Sequence, residues 1–401
     1  SIVVYIVIFI DFFIAFFFLS VFVSTKIKKE EKEFRPFELT FVLPAYNVGK
    51  ILEKTLDSIK KAKYPQEKIK IIIVNDGSTD NTLEVAKKLS QNNTNIQVFS
   101  KKNTGKADSL NYGIKQAKTE LIATLDSDSL IMPDLLEKAV TPFSDKSIMA
   151  VTSRLKPLNR EKLIEKMQYV EYTLAGFYRR LMGHINSLPA APAFTIYRRD
   201  FFLKHGYFDT DNLTEDFEIS LRIQSHQYNI SYVADSYALT DVPNNLYKLY
   251  RQRLRWNYGT FYNYRKYKHI FFNKDYGDLG FFVLPAGFLS ILMVSLTMLM
   301  ASYTIMVWII ENIQKLLIGW RPSFEFNLER FALSVTDLRI LLFLFTLLLA
   351  LTIFFLIRSE LKEKIGIRDF FVTMSIFLWT LALFYIIGFI YFIRNKKPTW
   401  S

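Results

Sequence analysis

The chain contains no cysteine and only four histidines among its 401 residues. Without cysteine it cannot form a disulfide or a thiolate metal site, and its composition fits a reducing compartment. Acidic residues are also in deficit, with 38 Asp and Glu against 51 Lys and Arg, which gives a net charge of +13. This excess favours anionic partners: lipid head groups, phosphorylated molecules or nucleic acid.

Apolar residues make up half of the chain, and they are concentrated in four runs that carry almost no charge. The runs are residues 2–23, 281–310, 340–357 and 370–393. Each is long enough to cross a hydrocarbon core of about 30 Å as a helix. The sequence therefore predicts an integral protein of the cell membrane with about four transmembrane helices, and it favours membrane lipids and phosphorylated substrates over nucleic acid, which we do not expect to bind.

The first run resembles a cleaved signal peptide in its position, but Asp11 interrupts it and no small-residue cleavage site follows, so we expect an anchor. Basic residues beside the first two runs predict that residues 24–278 lie in the cytosol. Four crossings would then leave Arg394, Lys396 and Lys397 outside, which opposes the same rule. A re-entrant segment, or a further helix before Ser1, would remove this conflict.

The region between the first two runs alternates between strand-like and helix-like patterns. We predict strands at 39–43, 69–74, 96–99 and 121–125, and helices at about 49–61, 82–89 and 105–117. This alternation indicates an α/β fold with a mostly parallel sheet covered by helices on both faces. Ligands of such sheets bind beyond the carboxyl ends of the strands, where this chain places its polar clusters.

Three of these clusters are suited to a phosphorylated ligand. Asp126 and Asp128 can hold a divalent cation, Mg²⁺ or Mn²⁺, that also binds diphosphate oxygens, although the same pattern is common in turns. Asp76 follows the second strand and can accept a hydrogen bond from a nucleobase, while Asp80 can cap the next helix. Lys106 begins a predicted helix, where a cation and the helix dipole both favour a diphosphate.

Two later segments add further candidates. Thr214, Glu215 and Asp216 precede a helix, where they can either cap it or supply a general base, and spacing alone does not choose between the two carboxylates. Residues 246–261 have the pattern of an amphipathic helix at a membrane surface. Its Gln252, Arg255 and Trp256 can be interfacial anchors or part of a site.

The order of these motifs resembles that of the membrane-bound inverting family 2 glycosyltransferases, the group that contains cellulose, hyaluronan, chitin-oligosaccharide and poly-N-acetylglucosamine synthases. The resemblance covers about residues 38–265. It rests on Pro-Ala-Tyr-Asn at 44–47, Asn-Asp-Gly-Ser at 75–78, Gly-Lys-Ala at 105–107, Asp-Ser-Asp at 126–128, Thr-Glu-Asp at 214–216 and Gln-Arg-Leu-Arg-Trp at 252–256. It implies a GT-A-like nucleotide-sugar-binding domain.

The resemblance also implies a role for each motif. The base would be Asp216, with Glu215 beside it; the donor would contact Tyr46, Asp76, Lys106, Asp126, Gln252 and Arg255; the metal would contact Asp126 and Asp128; and the acceptor sugar would contact Trp256. The chain departs from the family at Asn75, where relatives often have aspartate, and at residues 188–197, which match no subgroup.

The domains that we predict are a transmembrane helix at 1–24, a cytosolic GT-A-like domain at 38–240, interfacial helices at 241–278 and a transmembrane region at 279–401. The expected activity is transfer from a nucleotide-diphosphate sugar, with UDP as the expected nucleotide, to a growing glycan through a β-linkage. Single transfer to a lipid acceptor is the alternative. A silent scaffold is disfavoured because the carboxylates are present, and a homo-oligomer is compatible with the resemblance.

Overall fold

The computed structural model describes residues 2–25, 34–91, 93–189, 193–319 and 338–398. The basic cluster at residues 26–32, which contributes to the predicted orientation, lies outside these ranges. So do residues 190–192 in the segment that matches no subgroup. After an N-terminal helix, α1 (Ile2–Thr25), the chain enters a domain built on one eight-stranded sheet.

The first half of the sheet follows the predicted alternation. Its elements are β1 (Leu39–Ala45), α2 (Leu52–Lys60), β2 (Ile69–Asp76), α3 (Thr82–Gln91), β3 (Ile96–Lys101), α4 (Lys106–Gln116) and β4 (Leu121–Leu125). The four strands are parallel, in the order β3-β2-β1-β4. Their carboxyl ends therefore meet at one edge.

The second half gives the sheet a mixed character. It contains β5 (Leu130–Ile131), α5 (Leu135–Val140), β6 (Ile148–Pro157), α6 (Leu163–His184), β7 (Phe194–Arg198), α7 (Arg199–His205), α8 (Glu215–Ser225) and β8 (Asn229–Thr240). The full order is β3-β2-β1-β4-β7-β6-β8-β5. Strand β7 is antiparallel to both neighbours, and β5 is antiparallel to β8. The predicted parallel arrangement thus describes the first four strands and the β6–β8 pair.

Helices cover both faces of the sheet because side chains alternate along each strand. Phe41 and Leu43 of β1 pack with Leu56 of α2 on one face, while Val42 packs with Leu110 of α4 on the other. Helix α4 approaches closely because its Gly113 has no side chain: a Cβ there would lie 2.4 Å from Val42 Cγ1. This close packing sets the start of α4 beside the strand ends.

The remaining helices follow the sheet in the chain. They are α9 (Leu246–Lys266), α10 (Leu284–Leu317), α11 (Leu338–Glu360), α12 (Ile367–Val372) and α13 (Leu378–Ile393). A π-helical turn at Leu279–Val283 leads into α10, and another at Thr373–Phe377 links α12 to α13. Helices thus form at all four apolar runs. By length and composition, two described segments can span a membrane, Leu279–Leu317 and Ile367–Ile393, so four crossings stay a prediction.

The end of α13 lies against the sheet domain. Lys397 Nζ donates a hydrogen bond to the carbonyl of Asp211 at 2.7 Å, and the Arg265 guanidinium lies 4.9 Å from the ring centroid of Phe392. These contacts contradict the expectation that Arg394, Lys396 and Lys397 lie on the opposite side from the domain. Length and composition alone do not distinguish a helix that crosses a membrane from one that runs along a domain.

Candidate active site

The loops after β1 and β2 are joined by side-chain hydrogen bonds. Asn47 has a positive φ of 53°, and its Oδ1 accepts from the N–H of Thr79 at 2.9 Å. Its own N–H donates to Ser78 Oγ at 3.1 Å. Asp80 Oδ1 accepts from the N–H of Thr82, the first residue of α3, at 3.0 Å, as the capping interpretation predicted. The two loops therefore form one wall at the strand ends.

Of the two residues predicted to contact the nucleobase, Tyr46 is accessible and Asp76 is engaged within the protein. The side chain of Tyr46 is 49% exposed. Buried Asp76 accepts from the N–H of Thr104 at 3.0 Å and from the N–H of Gly105 at 2.9 Å, and it forms an ion pair with Lys101. Asp76 thus fixes the start of α4, and its contact with a base stays a prediction.

Lys106, the first residue of α4, joins two of the predicted motifs. Its Nζ lies 2.6 Å from Asp126 Oδ1 and 3.1 Å from Glu215 Oε1. Burial alone would lower the pKa of Lys106, but Asp126, Glu215 and Asp216 outweigh burial and raise that pKa above its ordinary value. Lys106 is therefore a permanent cation at the centre of the site.

Glu215 and Asp216, at the start of α8, differ in their proton affinity. Burial opposes ionisation of Glu215, but Lys106 and Arg255 overcome it and lower the pKa of Glu215. Burial and the neighbouring charge of Glu215 instead raise the pKa of Asp216, against the effects of Lys106 and Arg255. Asp216 is the carboxylate with the greater tendency to take up a proton.

Asp126 and Asp128 flank a turn directly after β4. Ser127 Oγ donates to the carbonyl of Pro44 at 2.6 Å, which holds the turn against the β1 loop. Burial and the charge of Asp126 raise the pKa of Asp128 to about 6. A divalent cation would relieve this repulsion. No group of three or more metal-ligating side chains exists in the described ranges, and a two-carboxylate site suits Mg²⁺, which is commonly bound by one or two carboxylates together with substrate phosphates.

Side chains from several of these motifs line one small, partly open cavity. Lys106, Asp126, Glu215 and Asp216 contribute its polar surface, and the apolar part comes from Leu110, Ala193, Tyr197 and Phe208. Asp128 belongs to the same turn as Asp126 but does not line this cavity. The structure thus brings Glu215 and Asp216 of α8 together with Lys106 and Asp126, which lie about 90 to 110 positions earlier in the chain.

Helix α9 faces this site with the last predicted motif. Arg255 is near enough to lower the pKa of both Glu215 and Asp216. The Arg253 guanidinium lies 4.2 Å from the ring centroid of Trp256, and it forms an ion pair of 2.7 Å with Glu171 of α6. Gln252 Oε1 is buried without a hydrogen-bond partner among the described residues. Helix α9 is therefore a wall of the site as well as a candidate membrane contact.

A buried amide network, absent from the sequence predictions, connects α9 to the start of α8. Asn263 Nδ2 donates to Thr214 Oγ1 at 3.0 Å, and Asn212 Nδ2 donates to Asn263 Oδ1 at 2.7 Å. Asn212 Oδ1 in turn accepts from the N–H of Thr214 at 3.1 Å. Gly259 allows the contact, because a Cβ there would lie 2.2 Å from Thr214 Oγ1. In the sequence, this network could have been predicted only from the glycine and the asparagine within the aromatic helix α9.

Part of the chain matches a known protein family. Residues 40–206 match the model described as glycosyl transferase family 2. The matched residues therefore form a family 2 glycosyltransferase domain. The residues on α8 and α9 lie beyond the matched stretch, so their roles rest on the contacts described above.

Two curated relatives resemble about half of the chain. The chain is 36% identical over 226 residues to the poly-beta-1,6-N-acetyl-D-glucosamine synthase of Staphylococcus aureus (strain COL), covering 55% of this chain and 54% of the relative. It is 34% identical over 226 residues to the synthase of the same description from Staphylococcus epidermidis, with the same coverage. The chain thus spans about half the length of these relatives.

The fold also resembles a mannosyltransferase from Pyrobaculum calidifontis, solved in complex with GDP-Man and Mn²⁺. The TM-score is 0.60 at 17% sequence identity, and the match covers 97% of this chain and 99% of the other. At this identity the likeness establishes the fold alone. It extends beyond the sheet domain to nearly the whole chain.

Proposed function

We propose that this chain is an inverting membrane glycosyltransferase that transfers a sugar from a UDP-sugar to a growing β-linked glycan at the cytosolic face. The proposal rests on one observation. Lys106, Asp126, Glu215 and Asp216 converge on one cavity, within a chain that carries a family 2 glycosyltransferase domain. The identity to poly-N-acetylglucosamine synthases favours N-acetylglucosamine as the sugar.

In the proposed reaction the acceptor hydroxyl attacks the anomeric carbon of the donor. A new carbon–oxygen bond forms on the face opposite the leaving diphosphate, whose bond to the same carbon breaks, so an α-linked donor gives a β-linked product. The hydroxyl proton passes to Asp216, the carboxylate whose pKa is raised by burial and by Glu215. Lys106 and Arg255 stabilise the charge that develops on the diphosphate.

Glu215 keeps a different role in this scheme. Its ion pair with Lys106, 3.1 Å long, positions the ammonium while its own lowered pKa keeps it ionised. The charge of Glu215 also keeps the pKa of Asp216 high. Two adjacent carboxylates can therefore divide the work of orienting a cation and accepting a proton.

Asp126 and Asp128 are the residues that would hold a divalent cation, Mg²⁺ or Mn²⁺. When bound, the ion would neutralise diphosphate charge as a Lewis acid. The protein prepares this site by fixing the turn through Ser127 and by bringing the two carboxylates close enough to raise the pKa of Asp128.

Trp256 is the proposed platform for the acceptor sugar. Its indole ring is backed by Arg253, which Glu171 holds at 2.7 Å, so the ring position is defined before an acceptor arrives. The buried and unpaired Gln252 Oε1 on the same helix offers an acceptor for a hydroxyl donor. Both features suit a site that receives a saccharide terminus.

The test is a panel of nucleotide sugars assayed with purified protein and Mg²⁺ or Mn²⁺, scored for nucleotide release and product length. We expect UDP release from UDP-N-acetylglucosamine and a product longer than one added sugar. A product with a single added sugar on lipid would support the non-processive alternative. Absence of nucleotide release with every donor would contradict the proposed activity.

A further inference from the structure

The apolar segment from Ile367 to Ile393 is long enough to cross a membrane, yet both of its ends contact the sheet domain, and between them it packs on α9 and α10. At its start, Phe370 is buried against Tyr169 and Val170 of α6. At its far end, Lys397 donates to the carbonyl of Asp211 at 2.7 Å. A helix that crossed the bilayer would place its two ends about 30 Å apart, on opposite sides of the membrane. Here both ends meet the same domain.

Between its ends the segment runs beside α9 in a fixed register. The ring of Tyr250 lies 5.5 Å from Phe384, and the ring of Tyr258 lies 6.1 Å from Phe392. Both partners advance by eight residues, so the two helices are parallel. Gly388 makes the approach close, because a Cβ there would lie 2.7 Å from Asn257 Cβ.

Helix α9 itself stays with the sheet domain along its length. Near its start, Leu249 packs in one buried cluster with Met167 of α6. At its end, Lys266 Nζ lies 2.7 Å from Asp209 and 2.9 Å from Glu218 of α8. A helix that is parallel to α9 is therefore held at the depth of α9.

The two faces of the segment differ in what they contact. Phe377 and Phe384 lie in one buried cluster with Leu249 of α9 and Met167 of α6. The opposite face is an exposed apolar stripe at helical spacing, formed by Ile376, Trp379, Leu383, Ile390 and Ile393. Apart from Arg368 and Asp369 in its first turn, the segment carries no charge; Lys362 and Lys364 precede it, and Arg394, Lys396 and Lys397 follow it.

We propose that Ile367–Ile393 lies along the membrane surface on the side of the sheet domain, with its exposed stripe in the adjacent leaflet, and does not cross the bilayer. The occupant of the stripe is lipid, since basic residues at both ends can bind anionic head groups while the uncharged middle enters the hydrocarbon. The placement rests on the membrane attachment in the proposed function, and it removes the conflict that Arg394, Lys396 and Lys397 created with the positive-inside rule.

Cysteine labelling tests on which side of the membrane the end of the segment lies. Because the chain has no cysteine, a single introduced cysteine can be labelled without background. Lys396→Cys is compared with Lys102→Cys in the sheet domain and with Leu317→Cys at the far end of α10. A membrane-impermeant maleimide is applied to inverted vesicles and to spheroplasts, and labelling in detergent confirms that each thiol reacts. We expect Lys396→Cys to label in the same preparation as Lys102→Cys. Labelling of Lys396→Cys in the other preparation would overturn the placement.

The depth of the segment in the bilayer provides a second, independent test of the placement. Ile376→Cys, Leu383→Cys and Ile390→Cys carry a fluorophore in reconstituted liposomes, and quenching by lipids brominated at shallow or deep positions measures depth. We expect the same depth at the three sites. A crossing helix would instead separate the first and last sites by about 20 Å, and such a gradient would refute the proposal. Sugar transfer is assayed on the unaltered chain in the same liposomes; its absence together with equal depths would count against the proposed function and not against the placement.

Discussion

The carboxylate of Asp216 lies next to that of Glu215 at the start of α8, and the two have opposite shifts in pKa. If Asp216 is the base, Asp216→Asn removes proton acceptance while keeping the shape of the side chain. We expect transfer to fall by about 100-fold to 10,000-fold, the usual contribution of a general base. The measurement is kcat from radiolabelled donor, with donor affinity measured in parallel. Asp200→Asn, at an exposed position of α7, is the matched control and should keep full activity.

The same pair predicts a pH dependence. Burial and Glu215 raise the pKa of Asp216, so the fraction of ionised base, and with it kcat/KM, should fall as the pH drops through a value above that of an ordinary aspartate. Glu215→Gln removes the neighbouring negative charge, and the acidic limb should move to lower pH. A pH–rate profile measures the shift, and an unmoved limb in Glu215→Gln would argue that another group titrates. The profile of Asp200→Asn should match that of the unaltered chain.

Candidate site residues could be predicted from the sequence only where the pattern lies within a short stretch of the chain. Lys106, Asp126 and Glu215 were predicted from strand ends and helix starts, and the structure joins them through ion pairs. The role of Asp76 differs, because its two oxygens accept from backbone N–H groups that the fold brings to it. Glu171 was not predicted, because its partner Arg253 is far away in sequence and only the packing of α6 on α9 makes the pair.

At the scale of elements, the contact between α9 and the start of α8 is set by a glycine. In Gly259→Ala the new Cβ would meet Thr214 Oγ1 at about the 2.2 Å calculated for an ideal Cβ, so α9 must shift or Thr214 must leave the amide network. Overpacking of this kind costs about 1–3 kcal/mol. We expect a lower Tm and, because Thr214 precedes the two site carboxylates, a larger loss in kcat than in donor affinity.

Gly366→Ala serves as the matched control for this substitution. The nearest atom to a Cβ at Gly366 is Asp369 Oδ2 at 3.6 Å, an ordinary contact. Thermal unfolding in one detergent and steady-state kinetics compare the two variants. Equal Tm and kcat in both would show that the approach of α9 to Thr214 is not under packing constraint.

Elements of the first half of the sheet were predicted within a few residues because buried strands and amphipathic helices alternate there. The second half was less predictable. Strand β7 inserts antiparallel between β4 and β6, a pairing between segments about 70 and 45 positions apart that no local pattern encodes. The long helix α6 was also missed, although it supplies Glu171 and packs against α1, α12 and the sheet.

At the scale of the whole molecule, a buried carboxylate helps to join the C-terminal helices to the sheet. Glu363, in the turn between α11 and α12, lies 3.0 Å from Arg154 and also pairs with Lys156 of β6 and with Tyr169 of α6. Burial lowers the pKa of Lys156, and Glu363 opposes that decrease. Removal of the carboxylate would leave two buried cations without their shared partner.

We therefore expect Glu363→Gln to destabilise the protein by about 3–5 kcal/mol, the usual cost of breaking a buried ion pair from one side. Glu360→Gln is the control, since Glu360 pairs with Arg180 at 3.1 Å in a more exposed position, where such pairs contribute about 0–1 kcal/mol. Chemical unfolding followed by tryptophan fluorescence compares the two. A similar effect of both substitutions would show that burial does not set the strength of the Glu363 contacts.

The overall architecture was predictable as a class, whereas the arrangement of the C-terminal helices was not. Apolar runs predicted helices at the correct places, and all four runs are helical in the structure. Their arrangement depends on which face of each helix meets protein. Gly388 beside Asn257 and Lys397 beside Asp211 determine this for the last helix, and neither contact follows from hydropathy.

Helix α9 has the site carboxylates on one side, through Gly259 and Thr214, and the apolar segment on the other, through Asn257 and Gly388. A displacement of that segment normal to the bilayer would be transmitted through two close backbone approaches to Arg255 and Trp256. If the segment lies in the leaflet as proposed, lateral pressure in the leaflet would alter the rate of catalysis. Turnover would depend on acyl-chain length and on the detergent used for extraction, even at equal donor concentration and equal Tm.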